Sequence, residues 1–287
     1  MVKLASLNIA CDDEKFNPLW KRLPSICNFL TSSRQEHNFD IVCVQDIKST
    51  GMNCEQQQGH TPLFWGPYDV AYKLCQALSC DNNKWEFIMY KTSASRDSCY
   101  VATFWNPDKY VCTQTVNFRP KITTHCQPCY LLMKHHFTMV DSPDGKTAFQ
   151  VFNCQASQLD LNSKLEYWKL VKHDLCMSYN GVALGVMNKT HDSVDDYNTM
   201  FSCDDDSDED DRTERQVSDR IRGETTFVPF DYNDKISDSS SQQASLDCII
   251  TAKQHIVTTT IIPTMVTNYD DIRPTNHFLV IADVKFN

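Results

Sequence analysis

Two short segments of the chain combine residue types and spacings that could take part in chemistry. Residues 184–188, LGVMN, have the form of a buried strand that ends by delivering the side chain of Asn188 to an active site. In HCQPC, Cys126 and Cys129 have the CxxC spacing of zinc ligands, and His125 lies beside them. A structural zinc site needs a second pair of ligands at a suitable spacing, and the sequence has no second CxxC. We therefore expect no zinc at this segment.

The composition excludes several classes of protein. The chain has 287 residues, of which 41% are hydrophobic, with 7 glycines and 11 prolines, which is typical of a globular protein with a substantial core. No stretch of 18 apolar residues exists, and the N-terminal residues read as a strand instead of a signal peptide. We therefore expect a cytoplasmic protein that does not enter membranes, with its 14 cysteines as free thiols. A disulfide role stays open if the protein ends in an oxidising or extracellular assembly.

Negative charge is concentrated in one part of the chain. The net charge is −10, and residues 204–211, DDDSDEDD, contribute seven acidic residues, so subtracting them leaves −3. The body of the protein therefore has no strong overall attraction to nucleic acid. We predict a single domain spanning 1–287, with an acidic loop insert at about 202–222 and a Ser-rich loop at about 235–245.

The elements that would position functional side chains are strands with helices between some of them. Apolar residues at helical spacing predict amphipathic helices at 19–33 and 161–179. Apolar runs predict strands at 4–10, 39–47, 100–110, 130–140, 148–155, 181–188, 245–252 and 276–286. This order indicates a layered α/β protein with two mixed sheets packed together.

The order of short motifs resembles the endonuclease/exonuclease/phosphatase superfamily, whose fold is a four-layered α/β sandwich of two packed mixed sheets flanked by helices. Within it, the chain is most similar to the branch of nocturnin, the Angel proteins and the carbon-catabolite-repressor-type deadenylases. The resemblance covers nearly the whole chain, from Leu4 to Phe286. The matching motifs, in family order, are SLNIA, DIVCVQD, DSCYVATFWNPDKY, FNCQAS, GVMN, LDCI and TNH.

Enzymes of the superfamily hydrolyse phosphodiester or phosphomonoester bonds with Mg²⁺, and the resemblance implies which residues stand at their functional positions. Asp46 matches the metal-binding Glu and is the candidate metal ligand, with Asn8 beside it, but its shorter side chain would reach Mg²⁺ through a water. Gln155, two residues after Asn153, matches a phosphate-contacting His, and it can donate a hydrogen bond but cannot carry a positive charge. Val186 matches the Asp that orients the nucleophile, which an apolar side chain cannot do.

The last matching positions lie near the C-terminus. Asp247 matches the Asp of the family's penultimate strand. Asn276 stands where the resemblance places an Asp that pairs with the terminal His. Without a carboxylate at position 276, we expect the tautomer and charge of His277 to be less well fixed.

One segment could replace the missing carboxylate at position 186. Asn188 keeps the family's Asn, and Asp192 follows it by four residues on a loop, next to His191. Asp192 could serve as a substitute acid, or both loop residues could be ordinary surface residues.

Three functions fit this pattern. The losses favour a catalytically inactive member of the fold, a pseudoenzyme that serves as a structural or interaction protein, with protein partners or self-assembly and no cofactor. The remaining polar residues also fit a Mg²⁺-dependent nuclease or deadenylase-like phosphodiesterase with a rebuilt site. The same residues fit a module that binds nucleotides or RNA ends without cleaving them.

Overall fold

Two six-stranded β-sheets lie face to face in the protein, and helices cover the outer face of each sheet. A computed structural model of the chain describes residues 1–10, 18–49, 66–79, 84–92, 99–118, 129–141, 148–157, 161–178, 180–187, 194–201, 217–221, 224, 226, 247–264 and 274–287.

The helices are α1 Leu19–His37, α2 Pro67–Leu78, α3 Leu161–Met177 and α4 Val194–Met200. The strands are β1 Val2–Asn8, β2 Ile41–Ile47, β3 Glu86–Lys91, β4 Tyr100–Trp105, β5 Tyr110–Phe118, β6 Cys129–Met139, β7 Ala148–Ser157, β8 Gly181–Val186, β9 Val217–Asp219, β10 Asp247–Ala252, β11 Ile256–Ile262 and β12 Leu279–Lys285. The first sheet has the order β11-β12-β1-β2-β4-β3, and the second has the order β5-β6-β7-β8-β10-β9. Both sheets are mixed, because β1 runs parallel to β2 and β7 runs parallel to β8 while the other neighbouring pairs are antiparallel.

Alternation of side chains along the strands divides most of the apolar residues among three large cores, and Val101, Leu131 and Met133 form a fourth, small cluster. In β1, Leu4 packs in the core between the sheets, whereas Leu7 packs in the core beneath α1 and α2. In β7, Val151 belongs to the core between the sheets, whereas Phe152 packs beneath α3 and α4. The strands are therefore buried on both faces, which explains their nearly continuous apolar sequences. This arrangement confirms the predicted four-layered α/β sandwich.

The predicted acidic loop at 202–222 is wrong at its C-terminal end. β9 lies within this range, pairs with β10 and is buried. Asp219 of β9 is satisfied within the core, because its Oδ1 accepts the backbone N–H of Ile249 at 3.1 Å and its Oδ2 accepts the hydroxyl of Tyr197 at 2.9 Å. The range before β9 and the Ser-rich loop at 235–245 lie outside the described residues.

The cysteines whose side chains the structure describes have free thiols, as expected for that part of the chain. Burial raises the pKa of Cys27 to about 11 and that of Cys154 to about 12, so both thiols stay protonated at neutral pH. Within the described ranges, no helix combines the length and the apolar character that a membrane crossing requires.

Candidate functional site

The family-matched residues that the structure describes lie at one end of the two sheets. Asn8 ends β1, and Asp46 lies near the end of the parallel neighbour β2. Gln155 lies near the end of β7, and Val186 ends its parallel neighbour β8. Asp247 begins β10, which runs antiparallel to β8 and so starts at the same end. The sheet topology therefore brings together residues that are distant in the sequence.

An irregularity in β2 turns Asp46 toward this end of the space between the sheets. The preceding residue, Gln45, already points there, since its Nε2 donates a hydrogen bond to Asn153 Oδ1 at 2.9 Å. Adjacent side chains in a regular strand point to opposite faces. Asp46 instead has a φ of 59°, and the pairing of β2 with β4 shifts register between Val44 and Ile47. Bulges of this kind re-aim side chains, and Asp tolerates a left-handed backbone better than most residues.

The Asp46 carboxylate accepts hydrogen bonds from two side-chain amides. Asn8 Nδ2 donates to Asp46 Oδ2 at 2.9 Å, and Gln155 Nε2 donates to the same oxygen at 3.1 Å. Asn8 Oδ1 in turn accepts the backbone N–H of Ala10 at 2.7 Å. Asp46 is only 8% exposed, so these bonds to a charged group are made largely out of water. We call Asn8, Asp46 and Gln155 the amide–carboxylate cluster, and it joins the two sheets at the site.

Val186 lies on the central one of the three strands by which the second sheet forms the site. In the strand register it lies opposite Gln155 on β7 and opposite Asp247 on β10. Residues opposite one another share a face of the sheet, so the Val186 side chain lies between two polar side chains. It is 4% exposed. An apolar group therefore fills the position where the resemblance implies a carboxylate.

Gly185 fixes the path of β8 just before Val186. Its φ is 132°, and a Cβ atom at this position would lie 2.1 Å from the carbonyl oxygen of Cys154 on β7. Only glycine allows this approach of two backbones without strain. The end of β8 is therefore held tightly against β7, and the Gln155–Val186 register follows from it.

His277 lies beside a carboxylate other than the one that the resemblance places at position 276. His277 Nδ1 lies 3.0 Å from Asp247 Oδ2, and both side chains are buried. The backbone N–H of Asp247 donates to Thr226 Oγ1 at 3.1 Å, which helps to hold the start of β10. Asn276, at the position where the carboxylate was expected, is fully buried. Asp247 therefore orients the His277 ring, and no carboxylate at position 276 is needed for this.

Supporting residues that the sequence analysis did not identify hold the segment before β12 against the end of β1. Arg22 of α1 is fully buried, and its Nη1 donates to the carbonyl oxygens of Ile9 at 2.9 Å and Pro274 at 2.6 Å. Thr275 Oγ1 lies 2.7 Å from the carbonyl oxygen of Asn8. The sequence could have indicated a structural role for Arg22, because it is a charged residue on the apolar stripe of an amphipathic helix.

Two of the family-matched positions that the structure describes offer little to a Mg²⁺ ion. Mg²⁺ requires about six oxygen ligands in a nearly ideal octahedron. Asp46 Oδ2 is already bonded to two amide N–H groups, and Val186 offers no ligand atom. Nowhere in the described ranges do three or more His, Cys, Asp or Glu side chains form a group that could hold a metal ion.

Some sequence-based candidates fall outside the described residues. These are Asn188, the possible substitute acid Asp192 with its neighbour His191, and Cys126 with His125 of the CxxC segment. Cys129 begins β6, but its side chain is also outside the described set.

Solved structures with this architecture match the chain over essentially its full length. An endonuclease/exonuclease/phosphatase from Bacteroides vulgatus has 17% identity and a TM-score of 0.68, with 100% of this chain and 99% of that chain covered. A mannosyl-6-phosphatase from Bacteroides thetaiotaomicron has 16% identity and a TM-score of 0.66, with both chains fully covered. D. rerio TDP2 complexed with a single strand DNA product has 11% identity and a TM-score of 0.62, with 99% and 98% covered.

These similarities define the class of fold. At identities of 11–17% they establish the architecture alone, and the chain has the endonuclease/exonuclease/phosphatase fold. No protein-family model matches the chain, and a search of curated proteins gives no match.

Proposed function

We propose that this protein is a catalytically inactive endonuclease/exonuclease/phosphatase-fold protein that serves as a structural or interaction protein. The observation that carries the proposal is the position of Val186, buried in register between Gln155 and Asp247. A hydrolase of this fold must activate a water there, and a valine side chain has no group that accepts a proton.

The amide–carboxylate cluster supports the same conclusion. In a metal site the carboxylate oxygens must be available to the cation, but Asp46 Oδ2 accepts two amide hydrogen bonds that link the sheets. Losing one general-base function costs about 10²–10⁴ in rate. We therefore expect turnover well below that of ordinary enzymes and no requirement for a cofactor.

The motif order supports a relationship with the deadenylase-like branch, and the structural neighbours add substrates to test. The direct test is hydrolysis of poly(A), nucleotides, single-stranded DNA and a sugar phosphate by the purified protein in Mg²⁺ or Mn²⁺. We expect no product above that formed in buffer. Mg²⁺-dependent turnover that disappears in Asp46→Asn, which removes the negative charge but keeps an acceptor oxygen, would establish an enzyme with a rebuilt site and refute the proposal.

A restored variant makes the test quantitative. Asp46→Glu, Gln155→His, Val186→Asp and Asn276→Asp together return the side chains that the resemblance implies. We expect measurable Mg²⁺ or Mn²⁺ binding by calorimetry in this variant but not in the same variant with Val186 kept, because the residues of such a site act as a unit. If the three-residue variant binds metal equally well, Val186 is not the reason for inactivity.

A second function is favoured by the pair formed by Asp247 and His277. A protonated imidazole beside a carboxylate carries a positive charge that would attract an anionic oxygen, so the site could hold a nucleotide or RNA end without cleaving it. Fluorescence titration with nucleotides and a short RNA tests this. Binding that is weakened in His277→Ala and kept in Val186→Thr supports a binding module, whereas no binding leaves the structural role.

A further inference from the structure

The edges of the two sheets differ in how they are protected against other chains. The first sheet ends at β11 and β3, and the second ends at β5 and β9. An edge strand presents unpaired N–H and C=O groups that can pair with another strand. Proteins block such pairing with short strands, bulges or charged residues.

Three of the four edge strands have one of these protective features. β9 has only three residues. β5 contains a register shift between Cys112 and Gln114. β3 begins with the charged residue Glu86 and ends with the charged residue Lys91. These strands are poorly suited to pair with another molecule.

β11 has none of these features. Its sequence, IVTTTII, consists of seven β-branched residues without charge, glycine or proline. It pairs with β12 in unbroken register from Ile256↔Lys285 to Ile262↔Leu279. In the described part of the chain, no backbone hydrogen bond joins β11 to a strand other than β12. Ile256 is 56% exposed, and Thr258 and Thr260 are also exposed.

The sequence of β11 is nearly the same read in either direction. We propose that β11 is the interface for a second copy of this chain, through antiparallel pairing about a two-fold axis at Thr259. Ile256 of one copy would then lie opposite Ile262 of the other, and Thr258 opposite Thr260, with Thr259 opposite itself. Each side chain would meet one of the same shape and polarity, which is the arrangement that stabilises neighbouring strands.

A second copy fits this edge better than an unlike partner. Two-fold pairing uses β11, which among the edge strands of the described residues is the one without protection, so it closes after two chains and joins two six-stranded sheets into one. The chain has a net charge of −10, which opposes self-association through charged surfaces, and the uncharged β11 avoids the worst of this repulsion. Because the interface is a single strand pair, we expect a weak dimer that forms only as the protein concentration rises.

This inference goes beyond the proposed function and is independent of it. The dimer uses the outer edge of the first sheet, and none of the site residues contributes to it. A monomeric protein would leave the proposal of an inactive site unchanged, and an active enzyme could still form the dimer.

Paired charge variants test both the interface and its register. Thr258→Lys with Thr260→Lys places like charges opposite one another in the dimer, and Thr258→Glu with Thr260→Glu does the same with the other sign. By sedimentation velocity we expect the wild type to dimerise with increasing concentration, and each double variant to bind itself about tenfold or more weakly. An equal mixture of the Lys and Glu variants should form the dimer again, because opposite charges then face each other.

A matched control separates the edge from overall charge. Gln114→Lys with Asn117→Lys adds the same charge at exposed positions of β5 and should dimerise as the wild type does. Hydrogen exchange of the wild type should show that the amides of 256–262 become more protected as concentration rises. A wild type that stays monomeric throughout, or a Lys variant that dimerises unchanged, would overturn the inference. So would β11 amides that are protected equally at every concentration, since a segment of the same chain would then cover the edge.

Discussion

Replacing Asp46 by alanine should destabilise the protein substantially, because the carboxylate now acts as a structural acceptor. The change leaves the side-chain amides of Asn8 and Gln155 without the oxygen that they share at 2.9 and 3.1 Å. It also places an alanine at a φ of 59°. If Asp46 served only to hold a cation, its removal from the metal-free protein would instead relieve an isolated buried charge.

The magnitude follows from these two terms. A hydrogen bond to a charged group contributes about 1.5–3 kcal/mol, and exchanging Asp for Ala adds only part of the roughly 1–2 kcal/mol that an L-residue pays in the left-handed region. The two bonds share one acceptor and are not additive, so we expect the free energy of unfolding to fall by about 3–5 kcal/mol. Asp46→Asn keeps an acceptor oxygen and a residue that tolerates this backbone, so it should cost only about 1–2 kcal/mol.

Urea denaturation followed by circular dichroism measures these values. Asp283→Ala is the matched control, because Asp283 is 28% exposed at its side chain and makes a 3.7 Å ion pair with Lys3. Such surface pairs contribute about 0–1 kcal/mol. The reasoning fails if Asp46→Ala is as stable as the control. It also fails if Mg²⁺ stabilises the wild type but not Asp46→Ala by the roughly 2.7 kcal/mol expected at a hundredfold excess over the dissociation constant.

Three further predictions concern residues that support the fold. Burial lowers the pKa of His135 to about 3 from its usual 6.5. The neutral ring therefore contributes fully to the free energy of unfolding above pH 6.5, and this contribution falls by about 2 kcal/mol at pH 5. Urea titrations between pH 7 and 5 should show this slope in the wild type and in the exposed-site control His173→Gln, but not in His135→Gln. Gly185→Ala should lower the unfolding free energy by more than about 3 kcal/mol, since its Cβ would meet the backbone of β7, and an unchanged melting temperature would contradict this. Deleting 203–222 removes β9 and should abolish the cooperative thermal unfolding transition, whereas a protein without 203–216 should still unfold cooperatively. Equal effects of the two deletions would show that β9 is dispensable.

Much of the fold could be predicted because burial on both faces leaves a clear sequence signal. Strands such as β2 and β8 are continuous apolar runs, and the amphipathic stripe of α3 is regular. The order of the seven short motifs along the chain then indicated how these elements are arranged in the fold. The four edge strands, β3, β5, β9 and β11, were not identified. β9 has only three residues, and the other three have partly exposed residues and no continuous apolar run that is buried on both faces.

The sequence predicted which residues form the site, but it did not predict the hydrogen bonds between them. The motifs identified Asp46, Asp247 and His277, and the structure places them at one end of the sheets. The bulge that turns Asp46 inward depends on backbone geometry that one-letter patterns do not encode. The pairing of Asp247 with His277 depends on how far β12 is offset from β10, which links different sheets. Buried polar residues inside apolar strands, such as Gln45 and Asn153, were a usable signal, because each must find a partner in the core.

Val186 and the amide–carboxylate cluster give a physical reason why the proposed inactive protein would keep most of the polar residues of this site. Asn8, Asp46 and Gln155 hold the two sheets together at the site, so each has a structural role in addition to any chemical one. A carboxylate at position 186 would stand beside Asp247 in the sheet register and within the same buried region as Asp46. Like charges in such a place repel one another unless a cation lies between them. Absence of a carboxylate at position 186 therefore does not lower the stability of a metal-free protein. Valine at this position adds apolar burial to the end of β8 and so stabilises the sandwich. Val186→Asp alone should therefore be less stable than the wild type without Mg²⁺, whereas Val186→Thr, which has nearly the same shape and no charge, should lose much less.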